Sequence, residues 1–229
     1  MSEDVFLITG ASSGIGAETA RHAVTEGYRV VLAARSQDKV QALAKELGGP
    51  GRALALRCDV TRREEQVAVV EQALSHFGRI DAVFANAGIG GSPGGFSEAD
   101  SDRWREIILT NIYGVGLTIQ ASLPALRESR GHLFLMGSAA GRATIPGSMY
   151  GATKWAVTGM GYNVREELRG SGIRVTLIEP GVVDTPFFEQ TPEQHMLPED
   201  IARAVIYALG QPDRVDVNEI LVRPTPPVE

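Results

Sequence analysis

The sequence predicts an α/β fold: a parallel sheet, doubly wound, with helices on both faces. Three observations predict it. Short β-rich runs alternate with longer helical patterns along the 229 residues. The strand segments are apolar nearly throughout instead of every second residue, as strands buried on both faces must be. A glycine-rich turn follows the first strand and opens the first helix, as expected of a ligand-binding α/β unit.

The elements follow in order. Val5–Thr9 reads as a buried strand, and a helix runs from about Gly14 to Glu26. Arg29–Ala33 is the second strand, with a helix over Ser36–Leu47. Ala53–Leu56 is the third strand. Thr61 has Glu64 three residues later, so a capping box is expected to start the helix that ends near Phe77. Ile80–Ala85 is the fourth strand, and one long helix is expected from near Asp100 to Arg127. Gly131–Met136, Ile173–Ile178 and Glu219–Val222 complete seven strands, with helices over Tyr150–Arg169 and Pro198–Leu209 between them. No internal repeat or long linker divides the chain, so residues 1–229 are expected to form a single domain. The Pro-rich tail 223–229 cannot continue a helix.

Composition narrows the function classes. The formal charge is −6 with no run of Lys or Arg, so neither DNA nor RNA is an expected partner. No apolar stretch is expected to approach the length of a membrane span. The single cysteine, Cys58, has no internal disulfide partner and reads as a small buried residue. No basic, apolar leader follows Met1, and the expected location is the cytoplasm.

The turn Thr9-Gly10-Ala11-Ser12-Ser13-Gly14-Ile15-Gly16 places glycines where a backbone must approach a pyrophosphate, at a helix N-terminus that favours anions. Its spacing differs from the common Gly-x-Gly-x-x-Gly. The second strand leads into Ala34-Arg35-Ser36, and no Asp or Glu stands between Val30 and Gln37. An NAD site would want a carboxylate there for the ribose 2′-OH. A guanidinium suits a 2′-phosphate, so NADP(H) is favoured over NAD(H), the other reading of Arg35 being a solvated helix-start arginine. Asp59, followed by Val60, is a candidate acceptor for the adenine amino group or else a charge at the next helix start.

Tyr150 and Lys154 stand four residues apart, on one face of the helix they share. An ammonium beside a phenol favours phenolate, so the Tyr150 pKa is expected below its usual value. Ser138 follows a strand and could reach the same substrate oxygen. An acid/base, its tuner and a hydroxyl donor point to chemistry at a carbonyl or alcohol carbon.

Taken together, Thr9-Gly10-x-x-x-Gly14-x-Gly16, Asp59, Asn86-Ala87-Gly88, Asn111, Ser138, Tyr150-x-x-x-Lys154 and Pro180-Gly181-x-x-x-Thr185 resemble the short-chain dehydrogenase/reductase family, from Val5 to about Val222. The resemblance implies a three-layer Rossmann fold and hydride transfer with a nicotinamide cofactor. It implies Tyr150 as acid/base and Lys154 as its tuner and a ligand of the nicotinamide ribose. Ser138 would hold the substrate oxygen, and Asn111 would serve a proton relay through water. The cofactor would lie along Gly10, Ser12, Ser13, Gly14, Ile15 and Gly16, reach Arg35, Ser36, Asp59 and Val60, and pass Asn86, Ala87 and Gly88. Tyr150 and Lys154 would hold its ribose, and Pro180, Gly181, Val183 and Thr185 its nicotinamide end. Ala85 stands where the family usually has another Asn.

The expected activity is NADPH-preferring reduction of a small or medium ketone or aldehyde. A 3-hydroxy acid dehydrogenase and a catalytically silent NADP-binding sensor are the alternatives. The pocket walls are expected at Ile89–Phe96, Ala139–Met149 and the loop 186–197, whose Phe187 and Phe188 either meet substrate or anchor the loop. Arg142 is a candidate for a substrate carboxylate. Metal ligands are not expected. Trp104, Ile107, Ile108, Ile112, Trp155 and Met160 are candidates for a homo-tetramer or homo-dimer interface, or else for the core.

Overall fold

The computed structural model describes residues 4–188, 190 and 192–226, so part of the expected substrate loop (189 and 191) and of the tail (227–229) lies outside the described residues. Seven parallel strands form one sheet in the order β3-β2-β1-β4-β5-β6-β7. The strands are β1 (Val5–Thr9), β2 (Arg29–Ala34), β3 (Ala53–Arg57), β4 (Ala82–Ala85), β5 (His132–Met136), β6 (Arg174–Pro180) and β7 (Glu219–Val222). The strand order reverses between β1 and β4, and the crevice at their carboxyl ends is where such a sheet accepts a ligand.

The helices are α1 (Gly14–Thr25), α2 (Gln37–Glu46), α3 (Arg63–Phe77), α4 (Gly95–Glu98), α5 (Ser101–Ile108), α6 (Gly114–Ser129), α7 (Met149–Glu167) and α8 (Pro198–Leu209). Two apolar cores flank the sheet, one under α1, α2 and α8 and one under α3, α6 and α7. Phe6, Phe84 and Phe134 come from neighbouring strands and pack at centroid distances of 5.8–6.5 Å in the first core. This rigid layer sets the strand ends from which the site is built.

Three expectations need correction. Helix α3 begins at Arg63 with no side-chain cap, so the Thr61–Glu64 capping box is absent. Thr61 lies in a turn before the helix instead, its amide and hydroxyl both donating to Asp59 Oδ1, at 3.0 and 2.8 Å. The single long helix is broken by a π-helical segment, Leu109–Tyr113, between α5 and α6. The combined run Ser101–Ser129 is long enough, with a window of mean hydropathy 1.2, to meet the length and composition of a membrane span. Here it packs on the sheet, burying Val115, Leu117, Ala125 and Leu126. Of the residues read as interface or core, Ile107 is fully buried in the chain's own fold and belongs to the core.

Candidate active site

The glycine turn is fixed from below. Thr9 Oγ1 donates to the Phe84 carbonyl at 3.2 Å and accepts from the amides of Asn86 and Ala87 at 3.1 and 3.2 Å. Asn86 Nδ2 donates back to the Thr9 carbonyl at 2.8 Å. The end of β4 therefore clamps the turn. A Cβ at Gly16 would lie 2.6 Å from both Asn86 Nδ2 and the Gly10 carbonyl oxygen, so the close approach admits no side chain there. Gly10 has φ +67°, and its Cβ would lie 2.8 Å from the Ala87 backbone. Ser13 caps α1 without a side-chain hydrogen bond, which leaves the first helical amides without a side-chain acceptor at the cavity wall. Thr185 packs its methyl against Gly14, so the loop after β6 closes over the turn.

One cavity of about 900 Å³ runs over these elements. At one end it is lined by Arg35, Ser36, Asp59 and Val60. Burial raises the Asp59 pKa, but the amide and hydroxyl of Thr61, with Arg35 and Arg62 nearby, outweigh it and hold the carboxyl below its usual value. At the other end lie Ser138, Tyr150 and Lys154, with Asn86, Ala87, Gly88, Pro180, Gly181 and Val183 between. Ser12, Gly10, Gly14 and Ile15 also line it.

Helix α7 sets Tyr150 and Lys154 one turn apart. Ser148 starts it by accepting the Gly151 amide at 2.9 Å. Lys154 is buried, and its Nζ donates to the Met136 carbonyl at 2.8 Å and lies 5.6 Å from the Tyr150 ring centroid. Burial lowers its pKa to about 8. Tyr150 does not follow the sequence expectation. Burial raises its pKa, and a hydrogen bond with Ser138 opposes the rise without reversing it. Ser138 Oγ accepts the Ala140 amide at 3.1 Å and approaches the Pro180 carbonyl at 3.3 Å.

Asn111 sits in the π segment and is almost fully buried. Its Oδ1 accepts the Ile89 amide at 2.9 Å, and its Nδ2 donates to the Ile89 carbonyl at 3.0 Å and to Thr153 Oγ1 at 3.2 Å. One side chain thus ties the segment after β4 to α7. The π turn is a common device at such sites.

Arg142 does not line the cavity. Its Nε donates to Glu179 at 2.7 Å, and its other nitrogens reach Glu219 and the Tyr162 hydroxyl, each at 2.6 Å. It is held by carboxylates of this chain. Two other arginines, Arg103 and Arg223, line the cavity instead. Arg103 lies on the helical run of Asn111, eight residues earlier, and that spacing was a usable sequence signal. Phe187 lines the cavity too, its ring edge-on to Tyr150 at 5.3 Å. Among the described residues no cluster of His, Cys, Asp and Glu could hold a metal. Cys58 is buried, with its thiol pushed up to about 12, and is no nucleophile.

The comparisons agree with this geometry. A sequence model of the family described as short chain dehydrogenase matches residues 4–196. An uncharacterized oxidoreductase of Staphylococcus saprophyticus is 38% identical over 231 residues, covering 98% of each chain. An alcohol dehydrogenase from the archaeon Thermococcus sibiricus, complexed with 5-hydroxy-NADP, is 31% identical with a TM-score of 0.89, covering 99% of each chain. The closed form of a serine dehydrogenase with NADP+ is 30% identical with a TM-score of 0.86, covering 95% of this chain and 94% of the other. The chain belongs to the short-chain dehydrogenase family.

Proposed function

We infer that the protein is an NADP(H)-dependent oxidoreductase interconverting a small or medium carbonyl compound and its alcohol. One observation carries the reading: Ser138, Tyr150 and Lys154 share a cavity with a glycine-rich turn that has no room for a side chain at Gly10 or Gly16, and with Arg35 beyond it. The turn, the α1 amides and the Arg35 guanidinium fit a dinucleotide with a 2′-phosphate. Two solved relatives contain an NADP species, which supports the choice over NAD.

When bound, the nicotinamide supplies or accepts the hydride. The chain's residues manage the oxygen. In reduction, Ser138 and Tyr150 orient the carbonyl, and the Tyr150 phenol gives its proton to that oxygen. The raised phenol pKa keeps the proton in place at neutral pH, which suits a donor. Lys154 brings positive charge beside the ring and stabilises the phenolate left behind. Gly88 lies between Asn111 and Lys154, so Asn111 is the candidate for a relay toward Lys154. Ile108, Leu109, Tyr113 and Trp155 expose apolar surface on the helices flanking this site, which supports a homo-oligomer, a tetramer first and a dimer second.

The test is oxidation of NADPH, then NADH, against ketones, aldehydes and oxo acids, with Tyr150→Phe as control. Turnover with NADPH and its loss by roughly 10²–10⁴-fold in the variant, with NADPH binding retained, is the expected result. Full activity of Tyr150→Phe would remove the tyrosine from the chemistry.

A further inference from the structure

We propose that the substrate carries a carboxylate, and that Arg103 and Arg223 hold it beside the reacting carbonyl. This deepens the oxidoreductase reading and rests on it. The class is a short oxo acid and its hydroxy acid.

Both arginines belong to the reacting end of the cavity. Arg103 Nη2 reaches the Gly90 carbonyl at 3.4 Å. A Cβ on Gly90 would lie 3.3 Å from the Phe187 ring, and one on Gly91 would lie 3.3 Å from Tyr150 Cβ. Arg103 is thus one backbone contact away from the wall that touches the catalytic ring. Arg223 lies against the segment after β6. A Cβ on Gly181 would lie 3.4 Å from Arg223 Cα and 3.5 Å from its Cγ, and the preceding residue, Pro180, contacts Ser138.

The charge balance of the cavity is one-sided. Among the described residues, Asp59 is its only acidic lining residue, and that carboxylate stands at the far end beside Arg35. The reacting end holds Lys154, Arg103 and Arg223 with apolar walls such as Ile89, Ile145 and Phe187. Glu106 pairs with Arg103 at 2.8 Å, but it is 63% exposed and does not line the cavity. An exposed pair three residues apart is weak and readily exchanged for a ligand. Arg223 makes no ion pair among the described residues and is exposed at the cavity mouth. A neutral ketone would leave Arg223 without an ionic partner and Arg103 with only its exposed Glu106 pair and its long contact to the Gly90 carbonyl. A carboxylate offers each of them charge-assisted hydrogen bonds and fixes the carbonyl relative to Tyr150.

The experiment compares acetoacetate with methyl acetoacetate, which share a carbonyl and differ in charge. The wild-type protein should give the higher kcat/KM with the acid. Arg103→Gln and Arg223→Gln should each lower the acid-to-ester ratio by about tenfold or more, the scale of a lost charge-assisted hydrogen bond. Arg103→Lys should keep most of the ratio. A wild-type preference for the ester, or a ratio unchanged within about twofold in both variants, overturns the proposal. Turnover of neither compound would count against the oxidoreductase reading alone. Anion capture is then decided by titrating 3-hydroxybutyrate and its methyl ester against the NADPH-loaded protein, with nicotinamide fluorescence as the readout. Tighter binding of the acid, lost in the double Gln variant, supports it, and equal binding of both overturns it.

Discussion

Lys154 does not reach the Tyr150 hydroxyl directly: its Nζ bonds the Met136 carbonyl at 2.8 Å and faces the ring at 5.6 Å. The phenol is therefore governed first by burial, which raises its pKa, and next by Ser138, whose hydrogen bond favours the ionised form. The two effects have opposite signs and can be separated by mutation.

Ser138→Ala should move the alkaline limit of carbonyl reduction to higher pH. The tyrosine must be protonated to donate, so activity falls as pH rises through its pKa. Deleting the hydroxyl removes the influence that lowers that pKa. The same deletion removes one donor to the developing alkoxide, so kcat should fall by about 10²–10³-fold at neutral pH. The pH profile of NADPH oxidation measures both, and a limit that moved to lower pH would contradict the assignment.

Lys154→Met should make the protein more stable at pH 7, with an advantage that shrinks as pH rises. The folded protein holds the ammonium at a pKa of about 8 against an ordinary 10.5. Between those values the unfolded chain binds more protons, so wild-type stability rises with pH there. Below pH 8 the full cost of the buried charge is present. Methionine avoids it and loses the hydrogen bond to Met136, leaving a net gain of about 1–2 kcal/mol. Urea unfolding at pH 7 and 10 checks this. A difference between the two proteins that stayed constant with pH would contradict the burial effect.

Much of this site is legible in the sequence because its residues act through local geometry. The Tyr150–Lys154 spacing needs only a helix, and the glycine turn is recognised from its own spacing after the first strand, although Asn86 and Ala87 at the end of β4 hold it in place. What stays hidden depends on distant partners. The role of Arg142 is set by Glu179 and Glu219, which β6 and β7 bring to it. The sign of the Tyr150 shift is set by burial among the surrounding elements, against the opposing Ser138 hydrogen bond, and not by its lysine neighbour. The π segment at Asn111 has no composition signature, since its widened turn is held by a side chain bonded to Ile89 across the site. The capping box at Thr61 fails because the helix starts later, with Arg62 at the N-cap, while Thr61 is held back in a turn by Asp59, which accepts from both its amide and its hydroxyl.

Arg35→Ala should weaken NADPH binding by roughly 1.5–3 kcal/mol, the range for hydrogen bonds to charged groups, and leave NADH binding nearly unchanged. Arg35 follows β2 directly and lines the cavity beside Asp59, where a 2′-phosphate would meet its guanidinium. Fluorescence titration with each cofactor separates them. Equal loss for both would assign Arg35 to the shared part of the dinucleotide.

Arg142→Met should destabilise the fold by about 3–5 kcal/mol, because it strands a buried carboxylate. Glu179 is 1% exposed, and its Oε1 accepts from Arg142 Nε at 2.7 Å and Thr158 Oγ1 at 3.1 Å. Without the guanidinium, only the threonine hydroxyl remains to it among these partners. Glu219 is 34% exposed and can turn to water, so its share of the loss is small. Replacing both members of the buried pair, Arg142→Met with Glu179→Met, removes the stranded charge and should recover much of the stability. Only Ala139–Gly141 separates Arg142 from Ser138, so the single variant should also lose activity beyond its loss of folded protein. Urea unfolding of the two variants measures the first effect, and kcat per folded molecule the second. A double variant no more stable than the single would show that Glu179 is held by its other contacts and that the pair is dispensable.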